Sequence, residues 1–546
     1  VTPIFMILEV AMEMVIPLLM ASIIDDGVQA GDMKHIFVIG CYMVLAAIVG
    51  LFAGVMGGKY GAKASTGFAR NLREAMYENI QTFSFSNIDK FSTASIVTRL
   101  TTDVTNLQNA YSMIIRLGVR APIMMIVAWI FSFRISPSIS LVFLACIPVL
   151  AFGLCGLAVY VHPVFERVFH TYDKLNNVVD ENLQGIRVVK SYTRESHEIA
   201  KFGRISQRIY KDFSKADRVM SFNNPLMMVC VYVSMILIAW MGAKQIVASG
   251  NNAALGLTTG DLTALVTYAM QILMAMMMLS MVFVMCIISQ ASAERICQVL
   301  NEESTVTNPA NPIKEVADGS IEFDNVDFRY SDNSEKPVLD NINLKIRSGM
   351  TVGIVGGTGS AKSSLVQLVP RLYDVSSGSL KVGGVDVRDY DLDALRHQVA
   401  MVLQKNVLFS GTIAENLRWG DPNATDEEVR EAAHLACADE FVDGFPKGYD
   451  TWIEQGGSNV SGGQKQRLCI ARALLRRPKI LILDDSTSAV DTKTDAKIRA
   501  GLASYLPNTT KLIIAQRISS VQDADRIIVM EGGRIAQIGN HDELLK

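Results

Sequence analysis

Two patterns of hydrophobic and polar residues divide this chain near residue 300. Up to about Ile288, long apolar stretches are separated by polar connections, whereas the remaining residues have the mixed composition of a soluble domain. A helix needs about 20 apolar residues to cross a bilayer. The stretches of that length are 3–24, 36–55, 115–133, 139–161, 225–247 and 262–288. The pattern predicts a six-helix membrane domain over residues 1–300, a linker over 301–319 and a globular domain over 320–546.

The charges of the connecting segments predict the orientation of these helices. The connections after the second and fourth spans carry many Lys and Arg residues, while the others hold only Lys34, Arg134 and Lys244. Basic connections face the cytoplasm. We therefore expect a multi-pass protein of the cell membrane, embedded in the lipid bilayer, with its globular domain in the cytoplasm. The formal net charge of −3 gives no basic footprint for nucleic acid, so no nucleic-acid partner is expected.

The globular domain opens with a phosphate-binding motif. An apolar run of strand length ends at Val355 and is followed by Gly356, Gly357, Thr358, Gly359, Ser360, Ala361, Lys362, Ser363 and Ser364. In such a loop, backbone N–H groups and a helix N-terminus cradle phosphates, the Lys neutralises them and the first Ser holds Mg²⁺. The usual pattern has Gly where Ala361 stands. The extra Cβ is expected to crowd backbone that must approach phosphate closely.

Further motifs surround this loop in a characteristic order. They are Tyr330 in Phe328-Arg-Tyr330, Gln404 in Val402-Leu-Gln404, Val460-Ser461-Gly462-Gly463-Gln464, Asp484-Asp485 after an apolar run, Ser488-Ala-Val-Asp491, and Ile513-Ile-Ala-Gln516. Together they resemble the nucleotide-binding domain of ATP-binding cassette (ABC) transporters from about residue 321 to the C-terminus. The resemblance implies an α/β P-loop domain preceded by an all-α six-helix transmembrane domain of the ABC exporter type. It also implies ATP and Mg²⁺ as cofactors, and an interfacial helix that normally precedes the first span and that we expect to be missing before Val1.

The resemblance implies a role for each motif. Tyr330 is placed to stack on adenine, Asp484 and Gln404 to coordinate Mg²⁺ together with Ser363, and Asp491 to contact nucleotide. Gln404 is also a candidate catalytic residue. Asp485 stands where the family has the glutamate that polarises the attacking water, and Gln516 stands where it has the switch histidine.

Both of these catalytic positions are predicted to be deficient. The shorter Asp485 pulls its carboxylate back by roughly 1.5 Å, and such a displacement can cost about a hundredfold in rate. Gln516 can donate a hydrogen bond but cannot take or carry a proton. The alternative is that Asp485 and Gln516 are both tolerated in an active homodimer.

The signature segment, residues 461–464, is intact apart from Val460 in place of the common leucine. In the family it serves the opposite subunit, where its serine and helix N-terminus face the γ-phosphate. We therefore expect this chain to bind ATP that it cleaves poorly, and to complete a competent site for a second, non-identical ABC half-transporter.

The two long cytoplasmic connections resemble the intracellular loops of ABC exporters, whose short transverse helices dock on nucleotide domains. Turns are predicted near residues 85–91 and 193–198. The alternative is that these segments are only solvated, charge-rich helices. The eight cysteines of the chain show neither metal spacing nor a disulfide framework.

Two features are candidates for a role in transport. Many methionines occur in the fifth and sixth spans, and methionine suits a cavity for varied apolar ligands. These residues are distributed around the helix without a defined face, and the alternative is that they are ordinary lipid-facing residues. Glu9 and Glu13 in the first span and Arg116 and Arg120 in the third are predicted to form a polar cluster on the cytoplasmic side of the membrane midplane, because ionisable residues in a membrane need partners or water. The cluster has either a structural pairing role or a role in contacting cargo.

These observations favour a subunit of a heterodimeric ABC exporter that moves small amphipathic or apolar compounds out of the cytoplasm. The pattern is similar to that of the degenerate-site subunit of bacterial multidrug exporters. One alternative is a peptide or lipid exporter half. Another is a membrane regulator that binds ATP and transports nothing.

Overall fold

Long helices form the first of two structural units in the chain. The computed structural model describes residues 1–251, 256–331, 334, 336–486 and 490–545. The first unit comprises Val1–Ile80 and Ala94–Asn301, and the second comprises Gln81–Thr93 and Glu302–Lys546. A segment between two membrane helices, residues 81–93, therefore belongs to the unit that contains the predicted nucleotide-binding domain.

Both long helices and short connecting helices occur before residue 301. They are α1 (Thr2–Ser22), α2 (Met33–Thr82), α3 (Phe85–Lys90), α4 (Thr93–Thr98), α5 (Val104–Met113), α6 (Val119–Ile135), α7 (Pro137–Gln184), α8 (Ile186–Ser191), α9 (Glu195–Met220), α10 (Asn223–Ser249) and α11 (Thr259–Leu300). π-Helical segments at Ile23–Val28, Arg99–Asp103 and Ile114–Gly118 extend or join some of them. At about 1.5 Å per residue, the 50 residues of α2 extend for about 75 Å, so α2 continues well beyond a hydrocarbon core of about 30 Å.

Five segments of the described chain are long and apolar enough to cross a membrane. They are Thr2–Val28, Met33–Thr82, Thr93–Ile135, Glu195–Ser249 and Thr259–Leu300. They contain all the predicted spans except residues 139–161, which lie within the continuous helix α7. The apolar helical stretch found there among the described residues is the shorter Pro137–Val149, so this span remains a prediction.

Helices α1, α6 and α11 pack together around one hydrophobic core. Val10 and Met14 of α1, Ala121 and Met124 of α6, and Tyr268 of α11 are members of this core. The Tyr268 hydroxyl donates a hydrogen bond to the Met14 carbonyl at 2.8 Å, which satisfies the polar end of a buried aromatic side chain. This contact fixes the relative depth of α1 and α11.

The second unit is built on two main sheets and a short ribbon. Its strands are β1 (Ile321–Phe328), β2 (Leu339–Ile346), β3 (Thr351–Gly356), β4 (Ser377–Val382), β5 (Val385–Asp386), β6 (Val399–Val402), β7 (Gly411–Thr412), β8 (Trp452–Ile453), β9 (Ile480–Asp484), β10 (Thr510–Ile514), β11 (Arg526–Glu531) and β12 (Arg534–Gly539). An antiparallel sheet has the order β2-β1-β4-β5, and β7 pairs with β8. The larger sheet has the order β12-β11-β3-β10-β9-β6, in which only the edge strand β12 runs antiparallel to its neighbour.

Helices cover both faces of the larger sheet. After residue 320 they are α12 (Lys362–Leu368), α13 (Leu392–Gln398), α14 (Ile413–Leu417), α15 (Asp426–Leu435), α16 (Asp439–Val442), α17 (Gly462–Leu475), α18 (Thr492–Tyr505) and α19 (His541–Leu544). Ile480 and Ile482 of β9 share a core with residues of α12, whereas Leu481 and Leu483 share a second core with residues of α17. Because successive side chains of a strand point to opposite faces, α12 and α17 lie on opposite sides of the sheet. The predicted fold class, a helical transmembrane domain followed by an α/β P-loop domain, is confirmed.

Candidate nucleotide-binding site

The residues predicted to bind phosphate and metal converge where three neighbouring parallel strands end. Strand β3 runs into the phosphate loop at Gly356, β9 ends at Asp484, and β10 lies between β3 and β9 and ends at Ile514. Ligands of open α/β sheets bind at the carboxyl ends of the strands. The sheet order therefore explains why residues far apart in the sequence meet at this edge.

The phosphate loop, residues 356–364, joins β3 to α12. Residues from Gly356 to Gly359, including Gly357 and Thr358, are exposed, while Ser360 is buried. The Lys362 ammonium lies across the loop and donates hydrogen bonds to the carbonyls of Gly356 at 2.9 Å and Gly357 at 2.8 Å, and to the Ser360 hydroxyl at 3.3 Å. Gly359 has a φ of +82°, a left-handed conformation that glycine adopts without steric cost. The loop thus places the positively charged Lys362 side chain beside a run of exposed backbone.

Ala361 has an unfavourable backbone conformation in this loop. Its φ is 68° and its ψ is 25°, which is left-handed, and it directly precedes α12. A residue with a Cβ pays roughly 1–2 kcal/mol in that region, whereas glycine does not. The methyl group packs against the hydrophobic core around α12. The structure therefore assigns a conformational cost to Ala361, and the expected crowding of phosphate by its Cβ remains a separate prediction.

Ser363 and Asp484 form the oxygen-rich part of the site. The Ser363 hydroxyl donates to Asp484 Oδ1 at 3.0 Å, and Asp484 is only 3% exposed. Burial raises the pKa of Asp484, and the charge of Asp485 acts in the same direction, while the hydrogen bond from Ser363 and the charge of Lys362 oppose the shift. A hydroxyl beside a buried carboxylate suits Mg²⁺, which prefers oxygen ligands. The donor set therefore fits the magnesium ion that the motif implies.

Gln404 was also predicted to coordinate the metal. It is exposed and lies two residues beyond the end of β6, whose Val402 pairs with Leu483 of β9. This register places Gln404 at the same sheet edge as Asp484. Its role as a metal ligand and catalytic residue remains a prediction.

The two positions predicted to be deficient are in direct contact. The Gln516 amide nitrogen donates to Asp485 Oδ2 at 2.6 Å. Asp485 is 8% exposed, and its own backbone N–H donates to the Ile514 carbonyl of the neighbouring strand at 3.1 Å. Its φ of 50° is left-handed, a conformation that aspartate tolerates better than most residues. The sequence identified both residues, but nothing in its pattern indicated that they bind each other.

Tyr330 lies next to the phosphate loop within an aromatic cluster. Its hydroxyl is 2.9 Å from the Ser364 hydroxyl, and its ring meets the ring of Tyr373 edge-on, with centroids 5.2 Å apart. Tyr330 is 46% exposed, so its ring is accessible to a planar ligand. Tyr373 is a residue that sequence reasoning missed, because it belongs to no motif and is recognisable only from its contacts.

The signature segment lies away from these groups. Ser461 caps α17: its hydroxyl accepts from the Gln464 backbone N–H at 3.3 Å, and its own N–H donates to the Gln464 side chain at 2.8 Å. Gly462 and Gly463 form the first turn of the helix. Because α17 and α12 lie on opposite faces of the sheet, the structure does not unite the signature segment with the phosphate loop of the same chain.

Asp491 begins α18. Its carboxylate accepts from the backbone N–H groups of Lys493 at 3.1 Å and Thr494 at 3.0 Å, and hydrogen bonds from Thr494 lower its pKa. The preceding motif residues Ser488 and Ala489 lie outside the described residues.

A second polar site occurs among the membrane helices. Arg120 of α6 binds Glu9 Oε1 through Nη1 and Glu13 Oε2 through Nη2, each at 2.7 Å. These side chains are 20% to 35% exposed. The predicted pairing of Glu9, Glu13 and Arg120 is confirmed. The hydrogen bonds and ion pairs of this triad do not include Arg116, whose Cδ packs along Gly61, where a Cβ would be 3.1 Å away, so its predicted membership of the cluster is not confirmed.

The methionines of α11 have a clearer arrangement than the sequence suggested. Met270, Met274, Met277 and Met281 are all exposed, whereas Met276 is buried at 3% exposure. Spacings of four, three and four residues place the exposed residues on one helix face. The expectation that the methionines have no defined face is therefore wrong for α11.

A unit of membrane-length helices fused to a unit with a phosphate loop and a magnesium-type Ser–Asp pair defines a membrane transporter half powered by nucleotide. The sequence matches the ABC transporter transmembrane region over residues 1–277 and the ABC transporter family over residues 339–488. The chain belongs to the ABC transporter family. It is an exporter-type half-transporter, a multi-pass membrane protein with a cytoplasmic nucleotide-binding domain.

Relatives support this assignment along nearly the whole chain. An uncharacterized ABC transporter ATP-binding protein of Bacillus subtilis, YfiB, is 36% identical over 542 residues, which is 99% of this chain and 93% of that protein. An ATP-dependent lipid A-core flippase of Desulfotalea psychrophila is 32% identical over 482 residues, which is 87% of this chain and 82% of that protein. The structure of a bacterial Atm1-family ABC exporter with ATP bound superposes with a TM-score of 0.86 and 24% identity, covering 100% of this chain and 95% of the other. This last similarity concerns the fold.

Proposed function

We propose that this chain is one half of a heterodimeric ABC exporter whose own ATP site holds nucleotide and turns it over slowly. The observation that carries the proposal is the Gln516–Asp485 hydrogen bond of 2.6 Å. The carboxylate in the water-polarising position is one methylene short and also accepts a hydrogen bond from the side chain in the switch position. General-base catalysis depends on reach and on a free acceptor, and both are reduced here.

Other residues of the same site support the binding of nucleotide. Lys362 supplies a positive charge and the loop backbone supplies N–H donors for phosphate oxygens. Ser363 and Asp484 would hold Mg²⁺, which neutralises charge on the phosphates when it is bound. Tyr330 would stack on the base. A site with these groups and a weak base is suited to retaining ATP, and occupancy would bias the conformation of the transporter.

The signature segment supports the need for a second chain. Its serine and helix N-terminus are of the kind that stabilises a γ-phosphate, yet α17 packs on the sheet face opposite α12. The segment can therefore contribute to hydrolysis only at a phosphate loop supplied by another polypeptide. The weak base in this chain favours a non-identical partner, because two copies of this chain would form two weak sites.

The cargo is proposed to be small and amphipathic. The methionine face of α11 offers flexible, polarisable side chains for varied apolar groups. The Glu9–Arg120–Glu13 triad supplies polar groups within the membrane region. A lipid is the second candidate cargo, favoured by the relative described as a lipid A-core flippase. The five long apolar segments found among the described residues exceed what a non-transporting regulator needs.

The experiment compares this chain alone with the pair that it forms with the half-transporter that copurifies with it from the native host. ATPase activity is measured for both preparations. Uptake of fluorescent phospholipid or ethidium is measured in proteoliposomes. We expect the pair to hydrolyse ATP and to move one of the probes, and the single chain to bind ATP with little turnover. Vigorous ATPase activity from the single chain would contradict the heterodimer. ATP binding by the pair without movement of either probe would favour the regulator.

A further inference from the structure

The transverse helix α3 is fastened to the start of the segment that follows α11. Asn87 is 1% exposed, and its amide donates to Glu302 Oε1 at 2.8 Å and to the Glu303 carbonyl at 2.9 Å. Lys90 binds Glu302 Oε2 at 2.6 Å, and this contact lowers the pKa of Glu302. These contacts lie within the second unit. They define one side of the docking site of α3.

Tyr373 holds α3 from another side. Its hydroxyl donates to Asp89 Oδ2 at 2.7 Å, and its ring meets the Phe85 ring at 6.0 Å between centroids and 60° between planes. Tyr373 is 9% exposed, and burial followed by the bond to Asp89 raises its pKa. It therefore stays a neutral hydroxyl that can only donate to this carboxylate.

The other edge of Tyr373 faces the nucleotide site. Its ring lies at 87° to the ring of Tyr330, with 5.2 Å between centroids, and the Tyr330 hydroxyl is 2.9 Å from the Ser364 hydroxyl of the phosphate loop. Edge-to-face aromatic pairs have a preferred geometry and contribute about 0.5–1.5 kcal/mol beyond burial. An unbroken series of contacts thus runs from Ser364 through Tyr330 and Tyr373 to Asp89.

We propose that Tyr373 is a positioning residue that couples nucleotide on Tyr330 to the transverse helix α3. The inference rests on the proposed role of Tyr330 in stacking on the base. Stacking restricts the Tyr330 ring, the edge-on contact then restricts Tyr373, and the hydroxyl of Tyr373 keeps Asp89 and α3 in one position. A chain of packed contacts transmits coupling only if its members interact energetically, and a double-mutant cycle measures that interaction.

Hydrogen exchange of the peptide covering residues 81–93 tests this coupling without a known cargo. The purified pair is measured with and without saturating ATPγS and Mg²⁺. In the wild type we expect nucleotide to slow exchange in this peptide. Tyr373→Phe keeps both ring contacts and removes only the hydroxyl, and should reduce that nucleotide-dependent slowing by roughly threefold or more, the size expected for one hydrogen bond.

Asp89→Ala removes the same bond from the other side and keeps the test valid if Tyr373→Phe is unstable. The variant that combines Tyr373→Phe with Asp89→Ala should lose no more of the nucleotide-dependent slowing than either single variant. Asp89→Asn keeps an acceptor oxygen and should therefore retain most of this slowing. Tyr390→Phe is the matched control, because it removes another buried hydroxyl of this domain, which donates to the Val382 carbonyl at 2.8 Å.

The proposal would be overturned if nucleotide slowed hydrogen exchange in Tyr373→Phe as much as in the wild type, or if Tyr390→Phe lost as much of this slowing as Tyr373→Phe. It would also be overturned if nucleotide did not slow exchange of this peptide in the wild type. The affinity of Tyr330→Ala for ATPγS distinguishes failure of the proposed stacking on Tyr330 from failure of the coupling through Tyr373. Unchanged affinity would refute the stacking role of Tyr330 itself. Weakened affinity together with an unaffected Tyr373→Phe would refute only the coupling.

Discussion

The side chain of Gln516 donates a hydrogen bond to Asp485, with 2.6 Å between the amide nitrogen and Oδ2. Under the proposed function each residue alone weakens hydrolysis, the first because an amide cannot take up a proton and the second because its carboxylate is short. Their contact makes the two deficiencies interdependent. If only Asp485 or only Gln516 is replaced by the usual residue of the family, the other still has a side chain that matched the residue now replaced.

Restoring one catalytic position should therefore achieve little. In a Ser461→Ala background, which silences the competent site, Asp485→Glu should raise ATP turnover by less than about threefold, whereas Asp485→Glu with Gln516→His should raise it by roughly tenfold or more, because such groups act as a unit. Steady-state ATPase activity of the purified pair provides the measurement. A full gain from Asp485→Glu alone would show that Gln516 is harmless.

The left-handed conformation of Ala361 predicts an unusual gain from glycine. Ala361→Gly should stabilise the domain by about 1 kcal/mol, because glycine adopts a φ of 68° without steric cost. The same change at Ala500, an exposed residue inside α18, should destabilise by about 1 kcal/mol through lost helix propensity. Thermal unfolding of both variants checks the signs, and a loss of stability in Ala361→Gly would contradict the conformational account.

The buried carboxylate of Asp484 predicts a pH dependence. Its folded-state pKa lies above the ordinary value of 3.8, so the stability linked to Asp484 is fully present below that value and is lost as the pH rises through the folded-state pKa. Without nucleotide, Asp484→Asn should melt above the wild type at about pH 7, and the difference should shrink as the pH falls towards 3.8. Saturating Mg²⁺ and ATP should stabilise the wild type more than the variant. An unchanged or lower melting temperature of Asp484→Asn throughout this range would contradict the assignment.

The intramembrane triad predicts unequal effects of its members. Arg120→Gln leaves two carboxylates without their shared cation, so it should destabilise more than Glu9→Gln, which keeps an acceptor oxygen for Arg120. Because the Arg120 side chain is 21% exposed, the loss should remain below the roughly 3–5 kcal/mol known for fully buried pairs. Melting temperatures in detergent measure this.

A triple variant, Glu9→Gln with Glu13→Gln and Arg120→Gln, separates structure from transport. It removes all the charge and should recover most of the stability. Lost transport in this stable protein would indicate that the triad contacts cargo. If Arg120→Gln and Glu9→Gln each leave expression, stability and transport unchanged, the triad has no role.

The sequence was sufficient for the fold class because its strongest signals are local. Apolar length predicts the membrane helices, and the phosphate loop between β3 and α12 fixes an α/β domain. The Gln516–Asp485 bond and the position of Tyr373 depend on strand order and on side-chain packing between distant segments. Neither leaves a periodic pattern, so neither could be predicted.

One sequence expectation failed and another was incomplete. The backbone cost of Ala361, shown by its φ of 68°, is a property that composition does not reveal and adds to the predicted effect of its side chain. The prediction that the methionines of α11 lack a face failed because it did not separate buried from exposed residues. Packing of α11 in the core with Tyr268 separates Met276 from the exposed stripe.

The most direct test of the asymmetric account compares two variants of this chain in the assembled pair. Ser461→Ala removes a γ-phosphate contact from the competent site, which this chain's signature segment completes at the partner's phosphate loop, and should abolish most steady-state ATPase activity. Asp485→Asn changes only this chain's own slow site, and should leave most of the activity in place. Equal and severe losses from both variants would mean that this chain's own site also turns over, and would contradict the account.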